Sequence, residues 1–590
     1  MRASVAGEMV RTEARSGAAA QLKADVAELN LVEAQCTIAA TLKSEGALTE
    51  AVLHLQAALR AWPGDRRVRA AVIDCLGDLQ LTHAANALRS DLVGILESAD
   101  LDLQPLAYPL ACLARACPAF AALEALATDG SAERSLADWV EAGLGELASD
   151  RLFLATLETV VLRDRALEQL LTALRRALLR KWSCCCRAII DEQLLSLLCA
   201  LARQCFLDEY AWFVSEEEAG LLPSLAERAQ SADIGEGDRA VNLALFACYA
   251  PLIGLGDLGA WPRHEGIAGL VKQQVRDVEV ERRLALAIPS AGNIRDPVSK
   301  LVRDQYENNP YPRWLGCGGA LEAERVAEML QRLVPEAVPA HRLPNGPIEI
   351  LCAGCGTGQQ VIEKALAIPD AHVLGVDLSL GSLGYAKRRA LDLGAVAAEF
   401  LHADILNLGR LERRFDLIES IGVLHHLAEP KEGLRSLSAL LKPGGLMRIG
   451  LYSRKARAGI ASAQALLRNQ GYRATPESMR ACRRHLLDLP PDSTLGSMTR
   501  IVDFYSLSEF RDLLFHANEH RFSLLEVAAM IAELGLTFIG FELPAEVVRE
   551  YRQLFGGAAD LRCLECWDRF EEAHPDTFLG LYRFWLQAPG

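Results

Sequence analysis

The chain of 590 residues has no basic excess: 62 Lys and Arg stand against 77 Asp and Glu, a net charge of −15. Without positive surplus there is no broad surface for phosphates, so nucleic acid is not an expected partner. No apolar run reaches the ~20 residues that a membrane span requires. The best candidate, Leu243 to Leu255, contains Pro251 and stops at Asp257, so no membrane association is expected. The segment MRASVAGEMVRTEARSG lacks a continuous apolar stretch, which predicts no secretory signal and a cytoplasmic location. The 16 cysteines lack the spacing of a disulfide framework. Cys36, Cys75, Cys112, Cys199 and Cys248 lie in apolar helical stretches, and Cys184, Cys185 and Cys186 are adjacent. They read as small buried hydrophobes in a reducing compartment.

What is present is ordinary globular material, 51% apolar and 24% charged, which excludes a disordered, collagenous or coiled-coil chain. The length predicts two to four domains at ~100–200 residues each. Residues 1–25 are expected to be a flexible start. From Val26 to Leu286 apolar residues recur at helical spacing, as in Leu167, Leu171, Leu174 and Leu178, with Arg175, Arg176 and Arg180 expected to face away. From Pro347 short apolar runs alternate with helical segments, the pattern of a parallel α/β sheet. This predicts an all-α N-terminal half divided into 26–105 and 106–290, a linker or lid at 291–346, and an α/β domain at 347–590.

Within 26–105, TIAATLKSEGALTEAVLHLQAALRAWP resembles one tetratricopeptide repeat. Ala39, Gly46, Ala51 and Ala58 are spaced 7, 5 and 7 apart. Small residues let two antiparallel helices approach, and Gly46 makes the turn.

The chemistry begins at PIEILCAGCGTGQQVIEKAL, where a short strand, a glycine loop and a helix follow one another. Gly354, Gly356 and Gly358 let the backbone approach a ligand at the carboxyl end of the strand. Nineteen residues after Gly358, the strand HVLGVD ends in Asp377, a carboxylate suited to the ribose hydroxyls of an adenosine. A third strand ends in Asp404, facing where an adenine would lie, and a fourth runs from Phe415 to about Ile421. A second dinucleotide glycine pattern and a Walker Lys-Ser/Thr are both missing.

The set ILCAGCGTG, LGVDLS, HADI, FDLIESIGVLHHLAEP and LKPGGLMRIGLY resembles the class I S-adenosylmethionine (SAM)-dependent methyltransferases over about 240 residues. The resemblance implies a Rossmann-like domain with a seven-stranded sheet. It implies that Gly354, Cys355, Gly356 and Gly358 hold the methionine end of SAM. It further implies that Asp377 with Leu378 binds the ribose, and that Asp404 with Ile405 lies beside the adenine. On the fourth strand Glu419 and Ser420 are cofactor candidates. Most relatives carry an acid at the position of Cys352, which leaves Glu419 or a backbone carbonyl to hold the ammonium. A narrower resemblance, on QYENNPYPRW and DFYSLSEFRDLLFHANEHRFSL, is to bacterial methyltransferases fused behind tetratricopeptide-like helices.

Methyl transfer needs alignment of a nucleophile with the methyl group and, where required, removal of its proton. His425, after the fourth strand, is the candidate base. Pro310 and Pro312 stiffen NNPYPRW, making Tyr311, Arg313 and Trp314 candidates for a lid. More than 80 residues separate the fifth strand from GLTFIGFEL, and a cap over the substrate is expected at 455–530. Its candidate contacts are Asp503, Tyr505, Arg511, His516, His520 and Arg521. His516 and His520 share a face if that piece is helical. No metal is expected, because the pairs Cys352/Cys355 and Cys563/Cys566 lie in different contexts.

The expected reaction is methyl transfer to an O, N or S nucleophile, releasing S-adenosylhomocysteine. The leading reading gives the helical half the task of presenting a protein or peptide acceptor, and two alternatives stand beside it. Another has a small-molecule acceptor, with the helical half a scaffold or homodimer surface. A third is a SAM-binding scaffold without activity.

Overall fold

A computed structural model describes residues 31–77, 88–98, 100–118, 120, 144–184, 192–231, 233–256, 258–307, 310, 312–318, 323–337, 339 and 346–590. Tyr311 and the expected flexible start at 1–25 lie outside them.

The C-terminal domain is built on seven strands: β1 (Ile348–Ala353), β2 (Ala371–Asp377), β3 (Ala398–His402), β4 (Phe415–Ile421), β5 (Leu441–Leu451), β6 (Thr537–Phe541) and β7 (Tyr582–Gln587). Their order is β3-β2-β1-β4-β5-β7-β6, with β7 antiparallel to both neighbours and the remaining pairs parallel. This is a Rossmann-like sheet. The order reverses between β1 and β4, and ligands bind outside the carboxyl ends of strands at such a switch. Strand parity sorts the core. Ile350 and Cys352 pack on one face with Val373, Leu417 and Trp585, whereas Leu351 and Ala353 pack on the other with Leu374, Met447 and Phe584.

The described N-terminal half contains helices and no named strand. Residues 31–44 and Leu48–Ala61 form a hairpin that turns at Gly46, whose φ of 81° suits a residue without Cβ. Ala39, Ala51 and Ala58 are buried in one apolar cluster with Leu55 and Leu59. Arg175 corrects the expected amphipathic pattern. It is buried, its guanidinium bonding the carbonyls of Phe213 and Cys248 and lying 4.3 Å from the Tyr249 ring. A helical face here is enclosed on more sides than one stripe implies.

The halves are tied at two levels. The helix Asp277–Leu286 lies against Leu380–Asp392 so closely that a Cβ on Gly384 would come within 2.5 Å of the Glu281 carbonyl oxygen. Arg388 donates to Glu281 at 3.0 Å across that contact. The cap packs its helices Ala458–Asn469, Pro476–Asp488 and Leu507–Leu514 around Phe504 and Phe510, with Ala211 of the helical half in the same core. Buried Arg483 of the cap pairs with buried Glu168 at 2.6 Å. The Leu507 N–H donates to the Asp208 carbonyl, and the Ser508 N–H to the Glu209 carboxylate. No described helix is long and apolar enough to cross a membrane.

Candidate active site

Strand β1 leaves the sheet at Ala353 and turns through Gly354, Gly356 and Gly358, with φ of 75°, 51° and 79°. These are left-handed values that side chains resist. Space enforces the choice at two of them. A Cβ on Gly354 would stand 2.4 Å from Val423, and one on Gly358 would stand 2.5 Å from Ala386. The Gly354 and Cys355 N–H groups donate to the Val376 carbonyl, pinning the loop to the end of β2. Asp377 completes the turn, accepting from the Gly356 N–H at 2.8 Å and the Ser379 N–H at 2.9 Å. Burial pushes its carboxyl above the ordinary range, while these backbone donors oppose the shift.

This end of the sheet opens into a cavity of about 240 Å³. Gly354, Cys355, Gly356, Asp377, Leu378, Asp404 and Ile405 all line it. Asp404 also caps the turn after β3, accepting from the Leu406 N–H at 3.0 Å. Gly358 supports the loop by packing and is not part of the wall.

The fourth strand departs from expectation. Glu419 does not line the cavity: its carboxylate pairs with Lys364 at 2.5 Å and with Arg448 at 3.4 Å. Cys352 is its partner across β1 and lies on the same side of the sheet. Parity thus sends both away from the loop. Ser420 likewise does not reach the cavity and donates to the Ala353 carbonyl at 3.1 Å. Ile421, Gly422 and Val423 form the wall instead, and no atom lies within 4 Å of where a Gly422 Cβ would stand.

His425 is also corrected. Fully buried, it does not line the cavity, and its ring lies 3.8 Å from that of Tyr452. His426 takes the cavity position, its Nδ1 2.9 Å from the Asn518 carbonyl and its ring stacked 3.6 Å from that of His516. Burial holds both His425 and His426 well below the ordinary imidazole range, and His516 down to about 4. All three are neutral at pH 7.

The strap before β1 crosses the glycine loop. Pro312 lines the cavity and accepts from the Thr357 hydroxyl at 2.6 Å, while the Trp314 indole donates to the Thr357 carbonyl at 3.1 Å. Arg313 turns outward, pairing with Glu281 at 3.6 Å and lying over Phe206 and Tyr385. Neither Arg313 nor Trp314 reaches the cavity.

Of the cap residues singled out, none is in the wall. Tyr505 donates to the Thr499 carbonyl, and Arg511 to the Gln305 carbonyl. Arg521 pairs with Glu519, and burial raises the Asp503 carboxyl. The helix Leu507–Leu514 ends before His516, so His516 and His520 share no helical face. They sit in a loop whose His520 N–H donates to the His425 carbonyl at 2.8 Å. Among the described residues no group of three metal-ligating side chains converges.

Asp512 is a wall residue that the sequence did not single out, whereas Tyr306 and His426 stand beside the candidates Tyr311 and His425 in motifs it did. The Tyr306 hydroxyl stands 2.7 Å from both Asp512 carboxylate oxygens, and Gln305 Nε2 donates to the same carboxylate at 2.8 Å. Tyr306 was visible in QYENNPYPRW as an aromatic on a stiff segment. Asp512 carries no local signal, since its partners lie more than 200 residues earlier.

Residues 350–445 match the family model described as a methyltransferase domain. The chain carries a class I SAM-dependent methyltransferase domain. It is 30% identical over 256 residues to an uncharacterised protein of Synechococcus sp., a match covering 40% of this chain and 60% of that one. A demethylmenaquinone methyltransferase of Clavibacter sepedonicus is 38% identical over 103 residues, covering 18% of this chain and 40% of its own. Phosphoethanolamine N-methyltransferase 1 of Arabidopsis thaliana is 31% identical over 124 residues, covering 21% and 25%. The chain thus spans at most 60% of the length of these relatives.

The wall fits the SAM expected of such a domain. Positive-φ glycines open the backbone at β1, Asp377 ends β2, Asp404 follows β3, and Gly422 leaves free space after β4.

Proposed function

We propose that this chain transfers a methyl group from SAM to a small-molecule acceptor held beneath the cap, releasing S-adenosylhomocysteine. The observation that carries the reading is the single cavity wall shared by Asp377 of the nucleotide end, His426 of the β4 turn and Asp512 of the cap. Gly354, Cys355 and Gly356 hold the methionine end, Asp377 the ribose, and Asp404 with Ile405 the adenine. A bound methyl donor there has its reactive end turned toward the region roofed by Tyr306 and Asp512. An in-line displacement asks the protein chiefly to align donor and acceptor and to exclude water.

The helical half acts as scaffold in this account. A wide cleft between Thr37, Arg67 and Asp74 of the hairpin region and the α/β domain runs along Glu363, Lys364 and Ala367. Those residues end the helix that Gln359 and Gln360 begin at the cavity. At 1.5 Å per residue Glu363 to Ala367 lie roughly 5–12 Å along that helix from Gln359 and Gln360, so the cleft flanks its far end. A peptide docked there is poorly positioned to reach the donor. The relatives named for demethylmenaquinone and phosphoethanolamine also act on small molecules by their names.

Incubation of the enzyme with methyl-tritiated SAM and cell lysate, followed by acid precipitation, tests this. Enzyme-dependent label in the soluble fraction is expected, lost in Asp377→Ala. Label confined to the precipitate would instead make the acceptor a macromolecule.

A further inference from the structure

The cavity wall has an uneven charge. Among the described residues that line it there is no Lys or Arg, yet Asp377, Asp404 and Asp512 supply three carboxylates. An acceptor carrying negative charge finds no counter-charge here. Asp377 and Asp404 are engaged by backbone N–H groups at the ends of β2 and β3. Asp512 differs: it comes from the cap, and among the described residues its carboxylate accepts from the side chains of Gln305 and Tyr306 before the strap.

Two rings, Tyr306 and His426, line the cavity with that carboxylate. Behind them His516 lies 6.5 Å from the Tyr306 centroid and stacks on His426. Aromatic faces beside one carboxylate favour a compact cation. We propose that Asp512 is a catalytic residue whose carboxylate receives the ammonium group of an amine acceptor and takes one of its protons, directing methylation to nitrogen. This rests on the methyl-transfer reading above.

The chemistry balances. R–NH3+ gives one proton to the Asp512 carboxylate and becomes R–NH2. The nitrogen lone pair forms the new N–C bond as the methyl C–S bond breaks, its electron pair remaining on sulfur. The products are R–NH2+–CH3 and the neutral thioether, and Asp512 passes its proton to water. Burial pushes the Asp512 carboxyl up to about 7, Tyr306 opposing by hydrogen bonding and Asp503 adding to the rise. A base of that strength works at neutral pH. The charged and titratable groups around it are Tyr306, Tyr452, Asp503, Arg511 and Glu519, with Asp377, His516 and Arg457 beyond.

The test is calorimetric, on the full chain saturated with S-adenosylhomocysteine, with n-butylammonium, phenol and butyrate as probes. Butylammonium is expected to bind, with phenol and butyrate weaker, and Asp512→Asn to lose roughly tenfold or more in amine affinity. An aliphatic ammonium stays charged up to a pKa of ~10.4. Amine affinity should therefore rise with pH through a midpoint near 7, where Asp512 ionises. Tyr306→Phe removes a donor that favours the carboxylate, so its midpoint should move up. Undetectable butylammonium binding, equal binding of phenol or butyrate, or unchanged amine affinity in Asp512→Asn would each overturn the proposal. So would a parallel loss of S-adenosylhomocysteine affinity, which would make Asp512 a cofactor-holding group. Loss of the S-adenosylhomocysteine site in the parent chain would instead sink the methyl-transfer reading itself.

Discussion

A carboxylate on a strand does opposite work according to the face it occupies. Asp377 ends β2 at the cavity, whereas Glu419, in the middle of β4, points between Lys364 and Arg448 with no exposed surface. Glu419→Gln is predicted to leave buried Lys364 without its carboxylate, while Arg448 keeps its pair with Glu542, costing about 3–5 kcal/mol in urea unfolding. S-adenosylhomocysteine affinity should stay within about threefold, a difference below 1 kcal/mol. A large loss of affinity with little loss of stability would restore Glu419 to the ligand. The sequence made the glycines and Asp377 legible because spacing along adjacent strands fixes them. It did not reveal which face Glu419 takes, since β4 is buried on both sides and shows no polar alternation.

Among the elements, the cap carries the pH dependence. Its loop 516–520 clamps the β4 turn through the His520 N–H, the Asn518 amide and the stacked His516. Burial lowers His425, His426 and His516 in the folded state, His516 to about 4. Unfolded imidazoles have a pKa of ~6.5, so the unfolded chain takes up protons first. Their contribution is complete above ~6.5 and is lost as pH falls toward the folded values. Between pH 7 and 5 Asp512 and Glu509, both raised to about 7, act in the opposite sense. Thermal unfolding therefore reads the histidine contribution as a difference: the Tm of His516→Gln should fall less, or rise more, over that range than the parent's. An unchanged slope in that variant would remove His516 from the account. That a cap existed was readable from the long insert after β5. Its wall residues were not, because the polar density drew attention to Arg511 and Arg521, which bond the Gln305 carbonyl and Glu519 instead.

For the whole molecule, the two halves form a coupled pair through the cap. Buried Arg483 and Glu168 bridge them, with the Arg483 guanidinium 4.3 Å from the Phe504 ring. Arg483→Met leaves Glu168 buried without its cation and is predicted to cost about 3–5 kcal/mol, read as a lowered Tm of the full chain. Unaltered stability would mean that this ion pair adds nothing to the tie between the halves. The helical class of the first half and the α/β class of the second were legible from periodicity, and the seven strands from the family resemblance. Their junction was not, because the helix Asp277–Leu286 continues the helical pattern yet packs on Leu380–Asp392 of the α/β domain.

The central claim is that the cavity at the switch point between β1 and β4 holds SAM and its product through Asp377. Titration of S-adenosylhomocysteine into the full chain and into Asp377→Ala tests it most directly. The account predicts one site per chain in the parent and an affinity weakened at least tenfold, about 1.4 kcal/mol, in the variant. Equal affinity in the two proteins, or no binding to the parent, would contradict it.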